Sequence, residues 1–211
     1  TLSIHSFPTR RSSDLRELSI AENKFKENST IYSRMEAHCN ALINLENKHE
    51  GFNKSVKNLM KHVEEEKIQN AKGNVHILGE IIEVDKRYEI AIEIALGSSI
   101  SNVITENEFI AKNLIGYLKN NNMGRATFLP LNIIKGKTIS IPSKVKSIEG
   151  YIGIASELIK YDEKYINVMK YTLGRTVIAK DMDSALNIAK ESGYSYKIVT
   201  LNGDVVNPGG A

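Results

Sequence analysis

From residue 15 to about residue 72 the chain has no proline and only one glycine, Gly51, and its apolar residues recur at alternating steps of three and four. Tyr32, Met35, Cys39 and Leu42 form one such series, and Val56, Leu59 and Val63 form another. Leu18, Phe25, Tyr32 and Cys39 continue the first seam at steps of seven. Two apolar positions in seven make a coiled-coil stripe, narrower than the face a globular core requires. The intervening residues are rich in Glu, Lys and Asn, and a lone helix this polar is marginal in water. The pattern therefore predicts a coiled-coil arm over 15–72 that needs a partner helix. No second stretch of this kind follows, so the partner is expected on another chain or beyond residue 211. The register slips between Leu45 and Val56, where Gly51 weakens the helix.

The opening TLSIHSFPTRRSSDL has neither a helical nor a strand period and does not blend into the arm. Residues 1–14 are expected to be a non-native or disordered leader.

From Gly73 the texture changes. VHILGEIIEV, ISNVIT and RATFLPL read as strands, YEIAIEIALG and NEFIAKNLIGYLKNN as helices. A polar connector carrying Gly136 and Pro142 follows over about 133–149. Beyond it the order repeats: strand-like GYIGIASELI, a helix from Glu163 to Leu173, strand TVIAK, helix MDSALNIAKES, strand YKIVTL and the turn NGD. Tyr88 precedes Gly97 by nine residues, and Tyr165 precedes Gly174 by nine. Gly124 and Gly193 then lead into strands that end in Leu131-Asn132 and Leu201-Asn202. The expected fold is an α+β domain over 73–211, built of two related α/β subdomains (about 73–132 and 150–211) and preceded by a long coiled-coil helix.

Catalytic signatures are not evident. The chain has no G-x-x-x-x-G-K-[ST], no G-x-S-x-G and no H-E-x-x-H. His38 beside Cys39 faces a different side of its helix, which argues against a metal pair. Glu89 and Glu93 share one helix face, and a solvated face accounts for them without proton chemistry. Cys39 is the sole cysteine, so no disulfide framework forms within the chain. With no signal peptide and no long apolar run, an intracellular protein without a membrane partner is expected.

Charge gives a firmer lead. The formal net charge is only +3, yet no acidic residue lies between Glu108 and Glu149. Lys112, Lys119, Arg125, Lys135, Lys137, Lys144 and Lys146 all fall there. One-signed stretches of this kind form either a positive surface for phosphates or an ordinary lysine-rich loop. Only Tyr117 and Phe128 interleave with the cations, so any DNA contact is expected to be sequence-independent and salt-sensitive. In the closing LNGDVVNPGGA, Asn202-Gly203 signals a hairpin, and Gly209-Gly210 reads either as a flexible exit or as a place of close backbone approach.

LGEIIEVDKRYEIAIEIALGSSISNVIT, AKNLIGYLKNNNMGRATFLPLNII, TLGRTVIAKDMDSALNIAK and TLNGDVVNPGGA, in that order, resemble the hinge of bacterial structural maintenance of chromosomes (SMC) proteins over roughly residues 20–211. The resemblance implies a hinge that homodimerises, with Gly209 and Gly210 at the dimer contact. It implies a second Gly–Gly pair, basic residues and a returning antiparallel coiled-coil helix beyond Ala211. It also implies that ATP and Mg²⁺ belong to head domains outside this fragment, that kleisin-type subunits bind those heads, and that the protein is cytoplasmic and nucleoid-associated, condensing and segregating chromosomes. The fragment itself is then not an enzyme and takes no cofactor. A different reading of the residues is a small-molecule-binding or enzymatic α/β domain carried on a coiled coil.

Overall fold

The computed structural model describes the backbone of residues 7–49 and 53–211 and the side chains of residues 14–36 and 54–211. The chain divides into two units, Thr1–Gly51 and Phe52–Ala211. The first is a single helix, α1 (Phe7–His49). Its seam residues Leu18, Phe25, Tyr32 and Met35 are exposed, Phe25 by 75 % and Tyr32 by 68 %. An apolar stripe left bare in this way is what a helix awaiting a coiled-coil partner presents. Cys39 and Leu42 lie outside the residues whose side chains are described. Residues 7–14, part of the stretch expected as a non-native or disordered leader, are helical, with Pro8 in the first turn, where its missing N–H costs nothing. Residues 1–6 lie outside the description.

The second unit starts at Phe52 and not at Gly73. Helix α2 (Asn53–Glu64) carries Val56, Leu59 and Val63, which the three-and-four spacing placed in the arm. All three are buried, Leu59 completely, against Val103, Leu114 and Leu118. The same spacing serves a coiled-coil seam and a core-facing helix, so periodicity alone does not divide them.

Next come β1 (Val75–Ile77), β2 (Glu83–Val84), α3 (Glu89–Leu96), β3 (Val103–Thr105), α4 (Glu108–Asn120) and β4 (Phe128–Pro130). A connector with one short helix, α5 (Ser143–Lys146), leads to β5 (Tyr151–Ile154), β6 (Ile159–Lys160), α6 (Ile166–Leu173), β7 (Thr176–Ala179), α7 (Met182–Glu191), β8 (Lys197–Thr200) and β9 (Val205–Val206). The repeat expected from sequence is present in detail. β1 pairs antiparallel with β3, which runs parallel to β4; β5 pairs antiparallel with β7, which runs parallel to β8.

Matching residues start matching helices. Asp85 and Asp162 accept hydrogen bonds from the backbone N–H of Arg87 and Lys164 ahead of α3 and α6. Asn107 and Asp181 cap α4 and α7 in the same manner. The buried rings of Tyr88 and Tyr165 each lie beneath a cation, Arg87 at 4.3 Å and Lys164 at 4.8 Å. β2 and β6 pair across the two halves, with Glu83 opposite Lys160 and Val84 opposite Ile159. One central core (Leu78, Ile92, Leu96, Ile104, Met169, Leu173, Ile178) unites both halves, and a satellite core lies at each end. The NGD turn is a hairpin: Gly203 takes φ +93°, Thr200 Oγ1 donates to Asp204 at 2.9 Å, and β8 pairs with β9.

Candidate nucleic-acid and self-association surfaces

The seven cations of the acid-free stretch fall on three separate elements. Lys112 and Lys119, two helical turns apart, share the exposed face of α4. Arg125 follows Gly124, whose φ of +89° turns the chain beside Ser55 of α2. It lines a depression of about 300 Å³ with Val56, Ser98, Ser101, Asn102, Ala126 and Thr127. Lys135 and Lys137 lie on the connector, and Lys144 and Lys146 on α5. The structure therefore does not gather them into one patch. Lys144 lies 2.7 Å from Glu191, whose carboxylate offsets its charge locally.

The connector lysines gain partners that sequence reading missed. An ideal Cβ on Gly136 would overlap the Asn167 carbonyl oxygen and come within 2.5 Å of Lys170 Cβ and the Tyr171 nitrogen. Only a bare glycine lets the connector lie this close to α6. Ile139 N–H donates to Gly174 O at 2.9 Å, and Gly174 in turn has room for no side chain beside Lys137 O. These contacts bring Lys135, Lys137, Lys170 and Arg175 onto one surface, with Tyr171 57 % exposed among them. None of the four cations forms an ion pair among the described residues. A signal existed in the sequence: no acidic residue lies between Glu163 and Asp181, a stretch that holds Lys164, Lys170, Arg175 and Lys180.

Gly209 and Gly210 take φ of +87° and +89° and are exposed. Gly209 donates its N–H to Tyr194 O at 3.0 Å, and a Cβ added to Gly210 would come within 3.4 Å of the Tyr194 ring. A Cβ on Gly209 would meet no atom within 4 Å, so positive φ alone requires glycine there within this chain. β4 and β9 are each the last strand of their sheets.

Two other residue sets have neighbours that the sequence did not announce. His62, assigned to the arm from sequence, lies in the compact unit with Nδ1 2.9 Å from Tyr117 Oη. Glu89 and Glu93 are exposed but border an apolar cavity. Lys197 reaches the end of α3, donating to Ala95 O at 3.0 Å, and burial pushes its ammonium below the usual lysine range. Among the described residues no group of three metal-ligating side chains converges, and no helix is long and apolar enough to cross a membrane.

The compact unit is thus a pair of α/β halves sharing one core, with α2 packed at one end. Residues 71–189 match the family model for the flexible hinge domain of SMC proteins. The chain belongs to the SMC hinge family. It is 48 % identical over 194 residues to the chromosome partition protein Smc of Clostridium kluyveri, covering 92 % of this chain and 16 % of that protein. Against the Bacillus subtilis Smc it is 41 % identical over 163 residues, covering 76 % of this chain and 13 % of that protein. The chain thus spans about a sixth of the length of such relatives. Among solved structures it is similar to an asymmetric dimer of the Geobacillus stearothermophilus SMC hinge domain, at TM-score 0.68 and 34 % identity, covering 95 % of this chain and 81 % of that one. It is also similar to the Pyrococcus furiosus Smc hinge domain with an extended coiled coil, at TM-score 0.65 and 31 % identity, covering 96 % and 70 %. Membership in the hinge family sets aside the enzymatic reading.

Proposed function

We propose that the compact unit pairs with a second copy of itself, joins two coiled-coil arms, and contacts DNA without sequence preference. The observation that carries this reading is the hinge-family match over 71–189, in a chain whose α1 presents an uncovered apolar seam. The open edges of β4 and β9 and the unobstructed backbone at Gly209 support self-association, since an exposed edge pairs readily with another chain. Dimerisation of the Geobacillus stearothermophilus hinge supports it further.

DNA contact is assigned first to the surface around Lys135, Lys137, Lys170 and Arg175. Lysine and arginine neutralise phosphates without reading bases, and an exposed tyrosine offers a stacking face to an unpaired base. Lys112, Lys119, Arg125 and Lys146 would add outlying contacts. In the longer protein, ATP-hydrolysing heads with Mg²⁺, kleisin-type subunits and a returning antiparallel helix complete the reading, together with a place on the nucleoid.

Fluorescence anisotropy with single- and double-stranded DNA across a salt series tests the assignment. Lys135→Glu/Lys137→Glu should weaken binding and flatten the salt slope by about one unit per lost contact. Lys144→Glu should do far less, because Glu191 already offsets that lysine's charge. Equal losses from both variants would remove the connector surface from the DNA path.

A further inference from the structure

The chain leaves β9 through Asn207-Pro208-Gly209-Gly210, and these four residues make a tight turn. Gly210 N–H donates to Asn207 O at 3.0 Å, and Gly209 takes φ +87° at the third position. Proline second and a positive-φ glycine third are the requirements of a type II turn. Asn207 N–H donates to Ala211 O at 2.7 Å and closes the loop. Residues 207–211 are all exposed, so the turn has no core of its own to hold it still. A Cβ on Gly209 would meet no atom within 4 Å, which leaves the outer side of the turn bare.

What holds the turn is the residue that follows α7. Gly193 and Tyr194 both take positive φ, +60° and +55°, and Tyr194 N–H donates to Ala189 O at 2.7 Å. Glycine adopts that backbone freely, whereas a bulky side chain adopts it at a cost. The other described non-glycine residues at positive φ are Glu66, Asn70 and Asn122, none with a ring. Tyr194 makes two contacts from this position. Its carbonyl accepts the Gly209 N–H at 3.0 Å and ties the turn to the end of α7. Its ring is half-buried against the core that holds Ile188 and Val206, and a Cβ on Gly210 would lie 3.4 Å from ring Cδ1 and 3.5 Å from Cε1. The ring thus touches the core on one side and floors the turn on the other.

We infer that Tyr194 is a positioning residue for self-association, holding the Asn207–Gly210 turn in one conformation so that the bare side of Gly209 meets a second copy already ordered. The inference rests on the self-association reading above. A segment ordered before contact loses less conformational freedom on association, and the complex is tighter by that amount. A ring kept where the backbone favours glycine supplies something the backbone alone does not.

Two variants separate the ring from the backbone. Tyr194→Asn removes the ring but keeps a residue that tolerates positive φ, and Tyr194→Phe keeps the ring. In the 211-residue chain labelled with ¹⁵N-glycine, exchange of the Gly209 amide is read at a dilution where the chain is monomeric, and pairing by sedimentation equilibrium. Tyr194→Asn should speed Gly209 exchange about threefold and raise the dimer dissociation constant about tenfold, with Tyr194→Phe within about twofold of the parent in both. Pro208→Ala, at an exposed position, loosens the same turn from its other side and should raise the constant about threefold with the melting temperature unchanged. A ring with only a packing role would lower the melting temperature in Tyr194→Asn and leave Gly209 exchange and pairing as they were. That result overturns the inference while the self-association reading stands, as does equal loss of pairing in Tyr194→Phe. Should Tyr194→Asn fail to fold, unchanged pairing in Pro208→Ala overturns it instead. A parent chain that never pairs overturns the reading and the inference together.

Discussion

The two halves of the compact unit share strand order, helix starts and the cation over a buried tyrosine, yet their outer helices are covered by different parts of the chain. In the first half, α4 is covered by α2, through Val56, Leu59 and Val63. In the second, α7 is covered by the connector, through Ile141 and Val145. The difference teaches that the repeat supplies a scaffold with an apolar outer face on each helix, and that the segment leading into each half buries it. On the first half that segment is α2, and on the second it is the connector.

The strongest way to break this comparison is Leu59→Ala. If α2 is core, the substitution should cost about 3 kcal/mol in urea unfolding of the compact unit, the range of a fully buried leucine. If α2 were only arm, it would change almost nothing. Val145→Ala, in the opposite cover, should cost less, about 1–2 kcal/mol, because fewer buried atoms are removed.

Gly136→Ala sharpens the contrast between the covers. Its new methyl would meet the backbone of α6, which cannot swing aside as a side-chain end can, and a loss of about 2 kcal/mol is expected. Thermal melts would register it together with weaker DNA binding, since Lys135 and Lys137 would be displaced from Lys170.

Much of this was legible in the sequence, for identifiable reasons. Tyr88 and Tyr165, each nine residues before a glycine, mark the same buried ring in each half. Asn202-Gly203 fixes its own turn because only local backbone geometry is involved. What stayed hidden depends on long-range packing. Val56, Leu59 and Val63 carry a period that suits arm and core equally. Lys144 looked free because Glu191, which offsets its charge, lies far along the chain. Lys170 and Arg175 join the connector lysines only through Gly136 and Gly174, whose close contacts no local pattern announces. Glu89 and Glu93 read correctly as exposed, but the well beside them is walled by residues from β2 and the turns that flank α3.

The capping residues separate the halves chemically. Asn107→Ala should cost about 1 kcal/mol at any moderate pH, since an amide does not titrate there. Its counterpart Asp181 is a carboxylate held below its usual range by hydrogen bonds from Ser184. A depressed carboxylate contributes stability that is full above its unfolded value near pH 4 and is lost as pH falls through the folded value. Acid titration of stability should therefore show Asp181→Asn flattening the profile below about pH 4, with Asn107→Ala shifting it uniformly.

The smallest expected effect is a gain. Gly116 sits within α4 with nothing inside 4 Å of an added Cβ, so Gly116→Ala should stabilise by somewhat under ~1 kcal/mol. A loss there would mean that this face of α4 is covered in solution.

The central claim is that this unit exists to pair with its own copy. Sedimentation equilibrium tests it most directly, on the chain itself and on a version extended past Ala211 by the second Gly–Gly pair that the hinge resemblance implies. The account predicts a monomer–dimer equilibrium, tighter in the extended version and weakened by Gly209→Leu. A single monomeric species in both versions, or a dimer indifferent to Gly209→Leu and Gly210→Leu, would contradict it.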